Sequence, residues 1–270
     1  MQKRNKRGES NNKKGKKGQV TLFIIIAIVI VAIVILALVL APRLFPKRVP
    51  EAKITDPEKY IGDCINLALE PAVETLASQG GYLELGNCIF YKDVCRHYLC
   101  YVTIPYTACV NQEPLLKEKI ESILKQKLQQ DNIVLNCINK FQEAASKQGY
   151  DVSVCASPTF SVNLTEGKVN VPIKCAMTLS KGEDVKRIEK INPYLQWPLF
   201  EFVMLAKEII NDEITYTDFD PVAYMLGHYW VEIEKFRTSD GSKIYTLRER
   251  ASGKEFVFAV RNYVLPPGIL

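Results

Sequence analysis

Residues 20–41 read VTLFIIIAIVIVAIVILALVLA. These 22 residues carry no charge and a single hydroxyl, Thr21. At 1.5 Å per residue such a helix reaches about 33 Å, enough to cross a hydrocarbon core of about 30 Å. A helix satisfies its own backbone in lipid, so abundant Ile and Val are no obstacle. A soluble helix of this length would show a polar face, and this run has none. The run predicts one transmembrane helix, spanning 19–41 with Gln19 at its start. A cleaved secretory signal fits poorly: the apolar stretch is too long, and Val39-Leu40-Ala41 is followed by Pro42.

The flanks set the orientation. The net charge of +5 is unevenly spread. Residues 1–18 carry eight bases against Glu9, and Arg43, Lys47 and Arg48 follow the run, which leaves the last 220 residues at a net of −5. The positive-inside rule places the basic leader 1–18 in the cytoplasm and the C-terminal part outside. The leader touches anionic lipid at most, and the acidic balance beyond it gives no basis for nucleic-acid binding. Pro42, Pro46 and Pro50 end the helix and make residues 42–55 a stiff stalk. Composition is globular, with 47% hydrophobic and 24% charged residues, and 220 residues suffice for one core or two small ones.

The junction Lys16-Lys17-Gly18-Gln19-Val20-Thr21-Leu22-Phe23 resembles the archaeal class III signal peptide of type IV pilin-like proteins. That resemblance implies a cut between Gly18 and Gln19 by a prepilin-type peptidase, with the helix kept on the mature chain. Pilin-like subunits carry a glutamate at the fifth mature position, and Phe23 stands there. Their helix also runs on into the head domain, where this chain has prolines. A solitary tethered ectodomain is therefore expected ahead of a filament subunit. The element Gln79-Gly80-Gly81-Tyr82 is similar to one in a group of archaeal membrane-anchored surface proteins, which implies no activity.

Beyond the stalk the pattern predicts an α+β fold of long helices and antiparallel meanders. Two regions are expected, 56–182 and 183–270. Asp56-Pro57 opens a helix with an apolar stripe at Ile61, Cys64, Ile65, Ala68 and Leu69, kinked at Pro71 and stopped at Gly80-Gly81. Residues 82–112 lack a period and read as a cross-linked loop, with Tyr98–Ile104 its best strand. A second helix covers 114–148, interrupted at Asp131-Asn132. Strands at 151–155, 160–164 and 169–178 read as a meander turning at Glu166-Gly167, with Pro172 at an edge or bulge. A third helix is expected over 193–211 and a short one at 221–226. Three final strands, 229–236, 242–248 and 255–262, turn at Asp240-Gly241 and Ser252-Gly253.

All eight cysteines lie between Cys64 and Cys175. An even count on the external side predicts disulfides. Cys64 and Cys137 lie on the apolar stripes of two long helices and are expected to clamp them. Cys155 and Cys175 are expected to join strands, leaving Cys88, Cys95, Cys100 and Cys109 to pair in one of three ways. The competing reading is zinc held by these four with His97, but Cys-x2-Cys turns are missing, so no metal or cofactor is expected. Only His97 and His228 could serve a nucleophile as base, and His228, at a strand start, is expected to be structural. Asp218-Phe219-Asp220-Pro221 could face a cation, but reads first as a helix cap. Asn163-Leu164-Thr165 fits the N-glycosylation acceptor pattern, a tripeptide common by chance. No nucleophile motif, phosphate loop or metalloprotease motif occurs. The expectation is a non-catalytic, membrane-tethered surface protein engaged in binding a cell-surface or envelope partner or in envelope structure. A pilin-like subunit and an extracellular hydrolase are the alternatives.

Overall fold

The computed structural model describes residues 56–262, together with Val29 and Ile30. The chain divides into two units, residues 1–50 and residues 51–270. In the first, Val29 and Ile30 are helical. Among the described residues no helix is long and apolar enough to cross a membrane. The expected membrane helix, the stalk and the Gly18–Gln19 junction lie outside those residues, the described pair excepted.

The second unit is α+β. Helix α1 (Pro57–Ser78) starts as its sequence dictates: Asp56 accepts from the Lys59 amide at 3.2 Å, and Pro57 takes the first position. It runs on through Pro71, whose ring is exposed. Gln79 caps it, and Gly80 and Gly81 turn the chain at φ +71° and +95°. A Cβ on Gly81 would meet Leu116 Cδ1 at 2.8 Å, and one on Gly80 the Phe258 side chain at 3.2 Å. The glycines are needed because the chain leaves the helix pressed against its neighbours.

Next come β1 (Cys88–Tyr91), β2 (Val94–Tyr101) and β3 (Val110–Asn111), then α2 (Leu116–Gln130) and α3 (Ile133–Lys147). The two helices bury Leu116, Ile120, Leu124 and Leu128, and Val134, Cys137, Ile138, Phe141 and Ala145. Asn132 between them is left-handed, at φ 47°, a conformation Asn tolerates. Strands β4 (Asp151–Ser153) to β10 (Tyr194–Gln196) follow, then α4 (Leu199–Thr215), α5 (Pro221–Gly227), β11 (Val231–Arg237), β12 (Ser242–Glu249) and β13 (Glu255–Arg261).

The largest sheet runs β1-β2-β13-β12-β11, with β3 also on β2. All its pairs are antiparallel except β2 with β13. One face presents Tyr245, Leu247, Phe256 and Phe258 to the main core, which also holds Trp197, Phe202 and Phe141. On the other face Tyr98, Ile244, Val257 and Ala259 are buried outside that core. They are covered because the sheet curls. Tyr91 of β1 and Phe236 of β11 belong to opposite ends of the strand order, yet their rings lie 5.2 Å apart.

Several expectations need correction. The strand expected at 98–104 begins earlier, at Val94, because Lys92 and Asp93 take positive φ and make a tight hairpin with β1. The expected meander is two sheets. Pro172 has no N–H to continue a ladder, so β7 (Lys168–Asn170) pairs with β6 (Asn163–Thr165) and β10, while β8 (Ile173–Lys181) pairs with β4, β5 (Thr159–Phe160) and β9 (Asp184–Ile191). Strand β9 was not expected: it is exposed along most of its length, only Ile188 and Ile191 reach the core, and it shows no apolar alternation. The third helix begins after Pro198, not Pro193, because Tyr194–Gln196 is a strand on β7. The boundary expected at 182/183 cuts the β8–β9 hairpin at Gly182, and β2 of the first region pairs with β13 of the second.

Candidate functional site

A cleft of about 530 Å³ opens between the segment after α1 and α2. Gly81 turns the chain so that Tyr82 lies over β2, where His97 faces it. The two rings stack at 4.0 Å, inclined by 6°. Lys119 of α2 covers the other face of Tyr82, its Nζ 3.9 Å from the ring centre. Glu113 ties the group together: it accepts from the Tyr82 hydroxyl at 2.6 Å and pairs with Lys119. His97 Nε2 lies 2.8 Å from the Glu84 carbonyl oxygen, an acceptor, so Nε2 carries the proton and donates. Gly86 passes so close that a Cβ there would stand 3.0 Å from His97 Cε1.

Burial, reinforced by the Lys119 charge, pushes His97 below its ordinary pKa, although its bond to Glu84 opposes this. The imidazole is therefore neutral at pH 7. Burial and Glu113 raise the Tyr82 phenol. The rest of the cleft offers the amides of Gln112, Gln126 and Gln130, the Lys127 ammonium, and the apolar surface of Leu83, Leu85 and Ile123. Its lining contains no Ser, Thr or Cys. The arrangement can hold a polar ligand through hydrogen bonds.

A second polar group lies under the sheet. Glu213, on the apolar side of α4, is fully buried. Lys243 of β12 bonds both its oxygens at 2.9 and 2.7 Å, and the Tyr245 hydroxyl donates to one of them. Lys243 also reaches the Thr217 carbonyl and Asp218 Oδ1, each at 2.8 Å. Asp218 further pairs with Lys235 at 3.0 Å and Arg237 at 2.7 Å. Burial alone would raise Asp218, but Lys243 and Lys235 outweigh it and hold the carboxyl below its ordinary range. The network joins α4 and the loop after it to the sheet.

The structure places the residues singled out from the sequence as follows. Cys64 bonds Cys137, joining α1 to α3, and Cys155 bonds Cys175. Of the three pairings open to the other four, the structure has Cys88–Cys95 and Cys100–Cys109. These sulfurs are not thiolates and offer zinc no ligand. His228 Nδ1 lies 3.0 Å from the Tyr224 carbonyl, with its ring stacked on Tyr224 at 3.9 Å. Asp220 caps α5 through the Val222 and Ala223 amides, while Asp218 faces lysines. Asn163 is exposed on β6. Sequence reading missed Tyr82, Glu113 and Lys119, which are brought together from three separate segments. Glu213 left a usable signal: an acid four residues after Ile209, on the stripe that should be apolar. No protein-family model, curated protein or solved structure matches the chain.

Proposed function

We propose that this chain is a single-pass membrane protein whose domain from residue 51 onward stands outside the cell and binds an envelope or cell-surface partner without catalysing a reaction. Residues 20–41 hold it in lipid and the basic leader stays in the cytoplasm. The observation that carries the reading is the pairing of all eight cysteines in four disulfides. Such bonds persist in oxidising surroundings and are rare in the cytosol. The cleft of Tyr82, His97 and Lys119 is the binding site in this reading. Both imidazoles are engaged with backbone carbonyls and tyrosine rings, which supports binding over nucleophilic chemistry.

Protease added to intact cells should remove the C-terminal mass, and non-reducing thiol titration should find no free thiol. A domain protected from external protease, or eight titratable thiols, overturns the reading. The Lys-Lys-Gly-Gln junction favours a second possibility, processing by a prepilin-type peptidase as a pilin-like subunit. Mass spectrometry of the mature N-terminus tests it: Gln19 as first residue supports it, and an intact leader removes it.

A further inference from the structure

We infer that Asn163 is a glycan attachment site, and that the first sugars of the chain lie in the cleft beside it. The inference rests on the extracytoplasmic placement proposed above. The tripeptide Asn163-Leu164-Thr165 is strand β6, which pairs along one side with β7 and forms the end of its sheet. Alternation buries Leu164 at 2% exposure and turns Asn163 and Thr165 outward together. The buried residue anchors the strand, and its N–H donates to Glu121 of α2 at 2.7 Å. The acceptor amide and the hydroxyl that defines the motif are thus presented side by side on a fixed backbone.

The surroundings have room for a sugar. Asn163 faces Asn170 across the hairpin and Thr165 faces Lys168, so all four side chains share one face. Beside Asn163, at the turn end of the hairpin, a shallow cleft of about 540 Å³ is lined by Leu164, Thr165, Glu166, Lys168, Asn170 and half-buried Phe200. Phe200 gives an apolar surface for a sugar ring, and the polar residues give hydrogen-bond partners for its hydroxyls. Among the described residues the Asn163 amide makes one long bond, 3.3 Å, to Ser161 Oγ, and Thr165 Oγ1 accepts from Asn170 at 2.6 Å.

The donor class is an oligosaccharide linked to a lipid phosphate, used by a membrane-bound transferase. The Asn163 nitrogen forms a bond to the anomeric carbon as the bond from that carbon to the phosphate oxygen breaks. The lipid phosphate leaves with the electron pair, and the amide gives up one proton.

The test uses the full chain purified from the membranes of its source cells, reduced, alkylated and cut with trypsin. The peptide 148–168 should carry a mass increment in whole sugar units. Asn163→Gln and Thr165→Ala should abolish the increment, and Thr165→Ser should keep it. An unmodified peptide from a domain that external protease reaches overturns the site and leaves the surface reading intact. An unmodified peptide from a protected domain overturns both. An increment that survives Asn163→Gln also removes the assignment.

Discussion

At the scale of single residues, the two buried polar groups respond differently to change. Lys243 neutralises Glu213 where water is absent. Lys243→Ala strands that carboxylate and should cost about 3–5 kcal/mol in urea denaturation. Adding Glu213→Leu should recover most of the loss, because the penalty comes from a lone charge. His97 acts through protons. Its folded pKa lies below the ordinary 6.5, so the unfolded chain binds more protons on acidification. Stability should therefore be fully present above about pH 7 and fall as the pH drops through 6.5, reaching a new level below the folded pKa. His97→Gln should flatten that slope in thermal melts at several pH values. Asp218 works in a separate, more acidic window. Its depressed pKa adds stability above 3.8 that disappears as the pH falls through the folded value. Neither group was legible in the sequence as a site. His97 could be named, but its stack with Tyr82 and Lys119 depends on how three segments meet.

At the scale of elements, the turn after α1 and the disulfides give the sharpest tests. Gly81→Ala combines a left-handed φ with a collision against buried Leu116, and should destabilise by more than about 1 kcal/mol. The Cys64–Cys137 bond spans 73 residues and Cys88–Cys95 only 7. On chain entropy, replacing the first pair by alanine should cost about 4 kcal/mol and the second about 2, measured by chemical denaturation. Elements with an apolar period were readable. The Cys64 and Cys137 stripes pointed to a helix clamp, and Asp56-Pro57 marked the start of α1 to the residue. The failures share a cause. Strand β9 is mostly polar, its apolar residues Val185, Ile188 and Ile191 recurring every third position and not every second, and β10 hides between Pro193 and Pro198. The split of the meander at Pro172 depends on partners distant in sequence. The parallel pairing of β2 with β13 links residues some 160 apart, and no local pattern announces it.

At the scale of the whole molecule, the domain from residue 51 is one compact unit because its sheet is assembled from both ends of that stretch. Shortening it from either end should therefore fail. Removing residues 231–262 takes away β11, β12 and β13 and should expose β2 and α1, read as loss of the cooperative melt and misformed disulfides. The position of α1 has a further consequence. It is the first described element of this unit, and it packs against α2, α3, β10 and β13. A pull arriving through Asp56 thus loads an interior strut, not a flap at the rim. Only residues 57–63 can be stripped away before Cys64 passes the force covalently to α3. If the membrane-anchored reading proposed above holds, a pull along the chain would meet the Cys64–Cys137 bond before it could unravel the body.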